Sequence, residues 1–212
     1  WNGIYKTSTA NFQVDYKLDT GKHNINALLG YGTERTRNVL TTLTYEGFPN
    51  DEVLNNVASA KWSSGQNQIL QKHGLNSWFT RLNYGYFNKY FAEFSFRADA
   101  SSKFGPNNQW GYFPAFSAAW VASQENFFKH FRWLDNLKFR ASIGQTGSTN
   151  IDDFSYRQYY SSQGQYIGNS SIVLNDMLPN KGIKWEKTTE SNFGIDFAFL
   201  NNRIYGNIDV YY

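Results

Sequence analysis

The chain has 212 residues, 41% hydrophobic and 19% aromatic, with 18 Phe, 15 Tyr, 7 Trp and no Cys. Its net charge of +3 is spread along the sequence without a Lys/Arg run, which argues against nucleic acid, and the lack of cysteine excludes a disulfide framework or thiolate metal site. Mean hydropathy is −0.59 and no run reaches the ~18 apolar residues of a membrane helix, yet a barrel stays open, since only alternate strand residues meet lipid.

Phe12, Val14, Tyr16 and Leu18 alternate with Asn11, Gln13, Asp15, Lys17 and Asp19. After the polar turn at 19–22, Ile25, Ala27, Leu29 and Tyr31 alternate with Asn24, Asn26, Gly30 and Gly32. A side-chain period of two marks a strand with one apolar face, so these runs predict a hairpin. From about 33 to 68 the alternation fails, and Gly47, Pro49, Asn50, Asp51, Asn55, Asn56, Ser63, Ser64 and Gly65 predict a long loop.

Strand character returns with Trp78, Thr80, Leu82 and Tyr84, followed by a short turn near Phe87, Asn88 and Lys89. In 91–100, Phe94, Phe96 and Ala98 share one face, and Glu93, Ser95, Arg97 and Asp99 the other. The chain bends at Gly105-Pro106-Asn107-Asn108, where Pro fixes φ and Gly and Asn tolerate turn conformations. Phe116, Ala118, Trp120 and Ala122 then alternate with Ala115, Ser117 and Ala119. Residues 124–136 carry Phe127, Phe128, Phe131 and Leu134 at near-helical spacing and read as a helix or a structured turn.

Leu137, Phe139, Ala141 and Ile143 alternate with Lys138, Arg140, Ser142 and Gly144. A second loop, rich in Gly, Ser, Asn and Tyr, occupies 146–184. The last hairpin sets Thr189, Ser191, Phe193, Ile195 and Phe197 against Ile204, Ile208 and Val210 across the turn at 200–203. The expected fold is all-β, with about eight antiparallel strands. Short and long connections largely alternate, as in outer-membrane barrels with short periplasmic turns and longer extracellular loops. Tyr16, Tyr31, Trp78, Tyr84, Tyr112 and Trp120 lie near strand ends, where interfacial girdles form.

Nothing here supports an enzyme or a cofactor. His23, His73 and His130 have no metal-binding spacing, and Asp152-Asp153 lacks the other ligands of a calcium loop. No G-x-S-x-G elbow occurs.

Three runs add a specific signal. Arg97, Asp99, Ser101, Ser102, Phe104, Gly105, Asn107, Asn108, Trp110 to Pro114, Ser117, Ala118 and Trp120 follow the pattern R-x-D-G-S-S-R-F-G-x-N-N-R-W-G-Y-F-P-S-x-S-A-G-W, departing at Ala100, Lys103, Gln109, Ala115 and Ala119. Leu137 to Gly147 follows L-K-x-R-x-S-x-G-x-T-G-N, with Ser148 for its final Asn. Trp185 to Thr188, Asn192, Gly194, Asp196 and Leu200 to Arg203 follow W-E-x-T-x-x-x-N-x-G-x-D-x-x-x-L-N-N-R. In these runs, covering roughly the second two-thirds, the chain resembles the SusC/RagA-like TonB-dependent outer-membrane receptors.

The resemblance implies an arc of a 22-stranded barrel in the outer membrane of a Gram-negative bacterium, with residues 1–212 all barrel and the N-terminal plug absent. It implies import of nutrient oligomers, glycans or peptides, driven by TonB and lidded by a SusD-like surface lipoprotein. On that reading Phe94, Phe96, Phe116, Trp120, Phe139, Phe193 and Phe197 face lipid. Glu93, Arg97, Asp99, Lys138, Arg140, Glu190 and Asp196 line the lumen, either along a substrate path or paired to hold the wall. Phe154, Tyr156, Tyr159, Tyr160 and Tyr166 are loop aromatics for a ligand, a partner or the loop's own packing. The rival reading is a soluble, aromatic-rich, carbohydrate-binding β-sandwich.

Overall fold

The computed structural model describes residues 2–49, 56–158, 160–166, 169–174 and 179–212, with the side chains of 64 and 160–174 left aside. Asn50, Asp51, Asn55 and Tyr159, singled out above, lie outside the described residues, as do the side chains of Tyr160 and Tyr166. The chain forms β1 (Asn2–Asp19), β2 (His23–Glu46), β3 (Trp62–Tyr86), β4 (Tyr90–Ser101), β5 (Trp110–Val121), β6 (Leu134–Ser148), β7 (Tyr160–Tyr166), β8 (Asn169–Leu174), β9 (Glu186–Phe199) and β10 (Ile204–Tyr211). One 8-stranded antiparallel sheet runs β1-β2-β3-β4-β5-β6-β9-β10, and β7 and β8 make a separate hairpin. The all-β, antiparallel expectation holds. Among the described residues β1 and β10 pair on one side only and are edges.

Because the order is sequential, the turns after β1, β3, β5 and β9 lie at one end, and the connections after β2, β4 and β6 at the other. The tight turns carry the backbone they need. Gly21 has φ +75°, and Phe87 and Asn88 lie at φ 53° and 55°, with Lys89 N–H donating to the Tyr86 carbonyl at 3.0 Å.

Two stretches differ from the sequence reading, 33–68 and, through the β7–β8 hairpin, the 146–184 loop. The span 33–68 is mostly strand, for β2 runs on to Glu46, β3 begins at Trp62, and they stay paired from His23↔Tyr86 to Glu46↔Trp62 with one register shift. Alternation is lost there because the face that is apolar lower down carries Arg35, Arg37 and Lys72, while the backbone ladder continues regardless of side chain. Of the two readings of residues 124–136, helix or structured turn, the structured turn holds. A 3-10 turn over Ala122–Gln124 leads into successive i→i+3 closures, Glu125 to Ala122, Phe128 to Glu125, Phe131 to Phe128 and Leu134 to Phe131. Their aromatics make a chain of tilted and edge-on contacts, Phe127 with Phe128, Phe128 with Phe131, Phe131 with Trp133, and Trp133 with Phe199 of β9.

Burial is sparse and localised. Phe104, Phe113 and Trp185 form the buried cluster, with Leu75, Ile151 and Ile183 against it, where the long connections fold onto the sheet. Elsewhere large apolar groups stand open: Phe94 is 44%, Phe116 50% and Phe193 49% exposed. A sandwich would cover them with a second sheet. The only other sheet among the described residues is the two-stranded β7–β8 hairpin.

Candidate functional site

Residues directly opposite in an antiparallel ladder project to the same side, so the register sorts every side chain into one of two faces. Leu82, Phe94, Phe116 and Ile143 are successive partners across β3 to β6. Tyr90, Trp120, Phe139 and Ile195 are partners across β4, β5, β6 and β9. Phe96 opposes Pro114, Phe193 opposes Ala141 and Phe197 opposes Leu137. Phe94, Phe96, Phe116, Trp120, Phe139, Phe193 and Phe197 thus share one apolar face.

The other face carries Glu93, Arg97, Asp99, Lys138, Arg140, Glu190 and Asp196. Glu93 opposes Asn83 and Ser117, Arg97 opposes Phe79 and Phe113, and Asp99 opposes Ser77 and Gly111. Lys138 opposes Asp196, Arg140 opposes Gly194, and Gly144 opposes Glu190.

Two guanidinium networks brace this polar face. Arg140 Nε donates to Asp196 Oδ1 and Oδ2 at 3.1 and 3.0 Å, and its Nη2 reaches Asp196 Oδ1 at 2.8 Å and Asp209 Oδ1 at 3.1 Å. One cation therefore ties β6 to β9 and β10. It crosses β9 at Gly194, where an added Cβ would stand 2.5 Å from Asp209 Oδ1 and 2.8 Å from Arg140 Cζ. That close approach accounts for the glycine between Asn192 and Asp196.

Arg97 makes the second network, donating from Nε to Asp99 at 2.7 and 2.9 Å and from Nη2 to Ser77 Oγ at 2.9 Å. Its guanidinium lies over the Phe79 ring, 5.8 Å from the centroid. Asp99, Ser77 and Ser101 are buried. Arg97, Asp99, Arg140 and Asp196 thus hold the wall together. Lys138 and Glu190 have no ion pair among the described residues, and Glu93 meets Arg81 only at 3.9 Å.

Between the networks lies a groove of about 360 Å³ whose lining includes Glu93, Ser117, Ser142, Glu190 and Asn192. A second, of about 440 Å³, shares Glu93 and Ser117 and adds Asn24, Asn26, Asn83 and Asn88. Together their linings mix amides, hydroxyls and two carboxylates with apolar groups, among them Phe91, Ala115, Phe116 and Ile143. Such a lining offers hydrogen bonds to a hydroxyl- or amide-rich chain beside apolar contact.

At the long-connection end Trp185 Nε1 donates to the Gln109 carbonyl at 2.8 Å, and Lys103 Nζ donates to the carbonyls of Thr149 and Ile151 at 3.3 and 2.9 Å. The conspicuous motif around residues 97–120 thus builds the shelf beneath the loops. Above it, Tyr156 packs by Gly105, Arg157 lies 5.3 Å over both Phe154 and Tyr156, and a cleft of about 590 Å³ opens between Pro106, Asn107, Tyr156 and Lys181. Asp153 accepts from His73 Nδ1 at 3.0 Å, a tie across 80 positions that spacing gave no means of finding.

At the opposite end Glu125 accepts from Tyr90 Oη at 2.6 Å and Lys89 Nζ at 3.0 Å. These two bonds, Tyr90's above all, hold its carboxyl below the usual glutamate range.

No protein-family model matches the chain. It is 36% identical to the TonB-dependent receptor SusC of Bacteroides thetaiotaomicron over 224 aligned residues, all of this chain and 22% of that one. It is 32% identical to the TonB-dependent receptor P39 of Formosa agariphila, over 99% of this chain and 20% of that one. The chain therefore spans about a fifth of the length of these relatives. Among solved structures, the RagAB peptide transporter superposes with a TM-score of 0.84 at 24% identity, covering 99% of this chain and 23% of that chain. The RagAB peptide importer in its closed-closed state gives a TM-score of 0.81 at the same 24% identity.

Proposed function

We propose, for a chain that is SusC/RagA-like and forms TonB-dependent receptor barrel, that its polar face is wall along which a nutrient oligomer crosses the outer membrane. The observation that carries this is the division of faces from β4 to β9. The seven aromatics named for the lipid side fall in one register phase, and the seven ionisable groups named for the lumen fall in the other. An exposed apolar side is stable against lipid and a polar side against a water-filled interior, which is the arrangement of a membrane barrel.

In this reading the two guanidinium networks keep the wall rigid, while Glu93, Ser117, Ser142, Glu190 and Asn192 meet the passing chain. The substrate is a short oligomer, peptide or glycan, held by many weak polar contacts. A SusD-like lipoprotein lids the long-connection end, where Phe154 and Tyr156 stand. Energy comes from TonB through a plug domain within a 22-stranded barrel. The part played by these 212 residues is passive; no catalytic step is assigned to them.

The test is ligand binding and TonB-dependent uptake by the complete receptor, with peptide and oligosaccharide libraries offered side by side. Substituting Glu93→Gln, Glu190→Gln and Asn192→Ala together should weaken binding and uptake of whichever class is carried. Phe193→Leu, on the apolar face, should leave both unchanged. Undiminished transport by the triple variant would overturn the assignment of this face.

A further inference from the structure

The outward face changes character along β1, β2 and β3. Phe12, Tyr31 and Trp78 are direct partners across the three strands, and the Tyr31 and Trp78 rings lie 4.7 Å apart. Toward the long-connection end the same face carries cations. Lys6 opposes Arg37 and Arg37 opposes Lys72, a row across three adjacent strands, and Arg35 stands two positions below. All four are exposed.

Three like charges in direct opposition, with roughly 5 Å between neighbouring Cβ atoms, repel one another. The chain does nothing to relieve this. Among the described residues none of the four has a carboxylate partner; Arg35 Nη1 reaches only the Asn76 amide oxygen at 3.2 Å and its neighbour's carbonyl at 3.1 Å. Asp15, Asp19, Glu34, Glu93 and Asp99 all belong to the opposite face. There, by contrast, Arg97 and Arg140 are fully matched by acids. A groove of about 570 Å³ runs along the cation row, lined on this face by Lys6, Ser8, Arg35, Arg37, Lys72 and Asn76 and also by Thr36, His73 and Ser101 of the other phase and by Phe154.

We propose that this groove binds the phosphate groups of an outer-leaflet lipid headgroup on the outside of the barrel. The inference rests on the reading of the apolar face as lipid-facing and adds a ligand to it. The aromatic row marks where acyl chains give way to headgroups. Cations just beyond it stand where a phosphorylated headgroup lies, and Ser8 and Asn76 supply neutral donors beside them. The lipid's acyl chains then lie along Phe12, Tyr31 and Trp78, so one molecule occupies both parts of the face. Lys187, on the same side, is not part of the site, because its ammonium donates to the Tyr112 carbonyl at 3.2 Å.

The experiment uses the complete receptor in detergent, with native mass spectrometry counting retained phosphatidic acid against phosphatidylcholine. The wild type should hold phosphatidic acid in preference, and the combined Lys6→Gln, Arg37→Gln, Lys72→Gln variant should hold it on the order of a hundredfold more weakly, about fivefold per cation lost. Arg37→Lys, which keeps the charge, should retain most of the binding and shows that the row tolerates substitution. Equal retention by wild type and triple variant overturns the proposal. So does complete displacement by inorganic phosphate, which would make the groove a site for a free anion. A nitroxide at Phe94→Cys separates the two readings: if that label sees dissolved oxygen as a lipid-exposed group while phosphatidic acid retention is unchanged, only the phosphate site fails.

Discussion

An arginine placed on the apolar face should cost most at Phe94 and progressively less toward either end of β4. The profile follows from the register. Tyr90 starts the strand beside Tyr86 and Trp120, and Ala98 sits between Trp78 and Tyr112, so aromatics bracket the segment at both ends. The 8 steps from Tyr90 to Ala98 span about 27 Å along the strand, or about 20 Å of depth at a barrel tilt near 40°. Phe94 is the midpoint.

Measured against Phe94→Ala, which removes the ring without adding charge, Phe94→Arg should therefore cost roughly 2–4 kcal/mol of stability in a bilayer. Ala98→Arg should cost about 0–1 kcal/mol, with Ala92→Arg between the two. Ser95→Arg, one step away and on the polar face, should also be near zero. The assay is denaturant-driven unfolding of the receptor in phosphatidylcholine vesicles. A flat profile, or a maximum at Ser95, would refute the assignment of faces and with it the claim that lipid covers this sheet.

Arg140→Leu leaves Asp196 and Asp209 facing each other without their cation; since all three side chains are about one-third exposed, the expected loss is about 1–2 kcal/mol. Gly194→Ala should reproduce much of that loss by displacing the guanidinium, and a double-mutant cycle reads whether the two effects are shared. Trp185→Ala empties the shelf beneath the loops. It should speed hydrogen exchange and proteolysis around 102–109 and 149–158 while leaving β1 and β2 protected. Glu125 gives a pH dependence of fixed sign: its folded-state pKa is lowered, so its contribution is present above the ordinary glutamate range and fades as pH falls through the depressed value. Amide protection in the turn after β5, taken relative to the intrinsic exchange rate at each pH, should fall on acidification in the wild type and change less in Glu125→Gln.

The strands that cross the apolar zone were legible from residue type alone. In β4, β5, β6, β9 and β10 one apolar and one polar side impose the period of two that the sequence displays. The extensions of β2 and β3 were not legible for the same reason. Beyond the aromatic row both faces carry polar groups, Arg35, Arg37 and Lys72 replace apolar ones, and a ladder held by backbone hydrogen bonds leaves no pattern in side chains. The β7–β8 hairpin sat unseen inside a polar loop.

Of the candidate site, the face of each ionisable residue was legible, but its partner was not. Arg140 meets Asp209 across 69 positions and His73 meets Asp153 across 80, distances over which only the register decides. The cation row was invisible too. Lys6, Arg37 and Lys72 are scattered singly in the sequence and become neighbours only when three strands align.

A nitroxide scan of β4 in the bilayer-embedded receptor tests the division of faces most directly, and the absence of cysteine in this chain makes each label unique within it. Labels at 92, 94, 96 and 98 should be accessible to oxygen and shielded from a water-soluble nickel complex, whereas those at 93, 95, 97 and 99 should show the reverse. Accessibility that fails to alternate, or alternates in the opposite phase, would contradict the account.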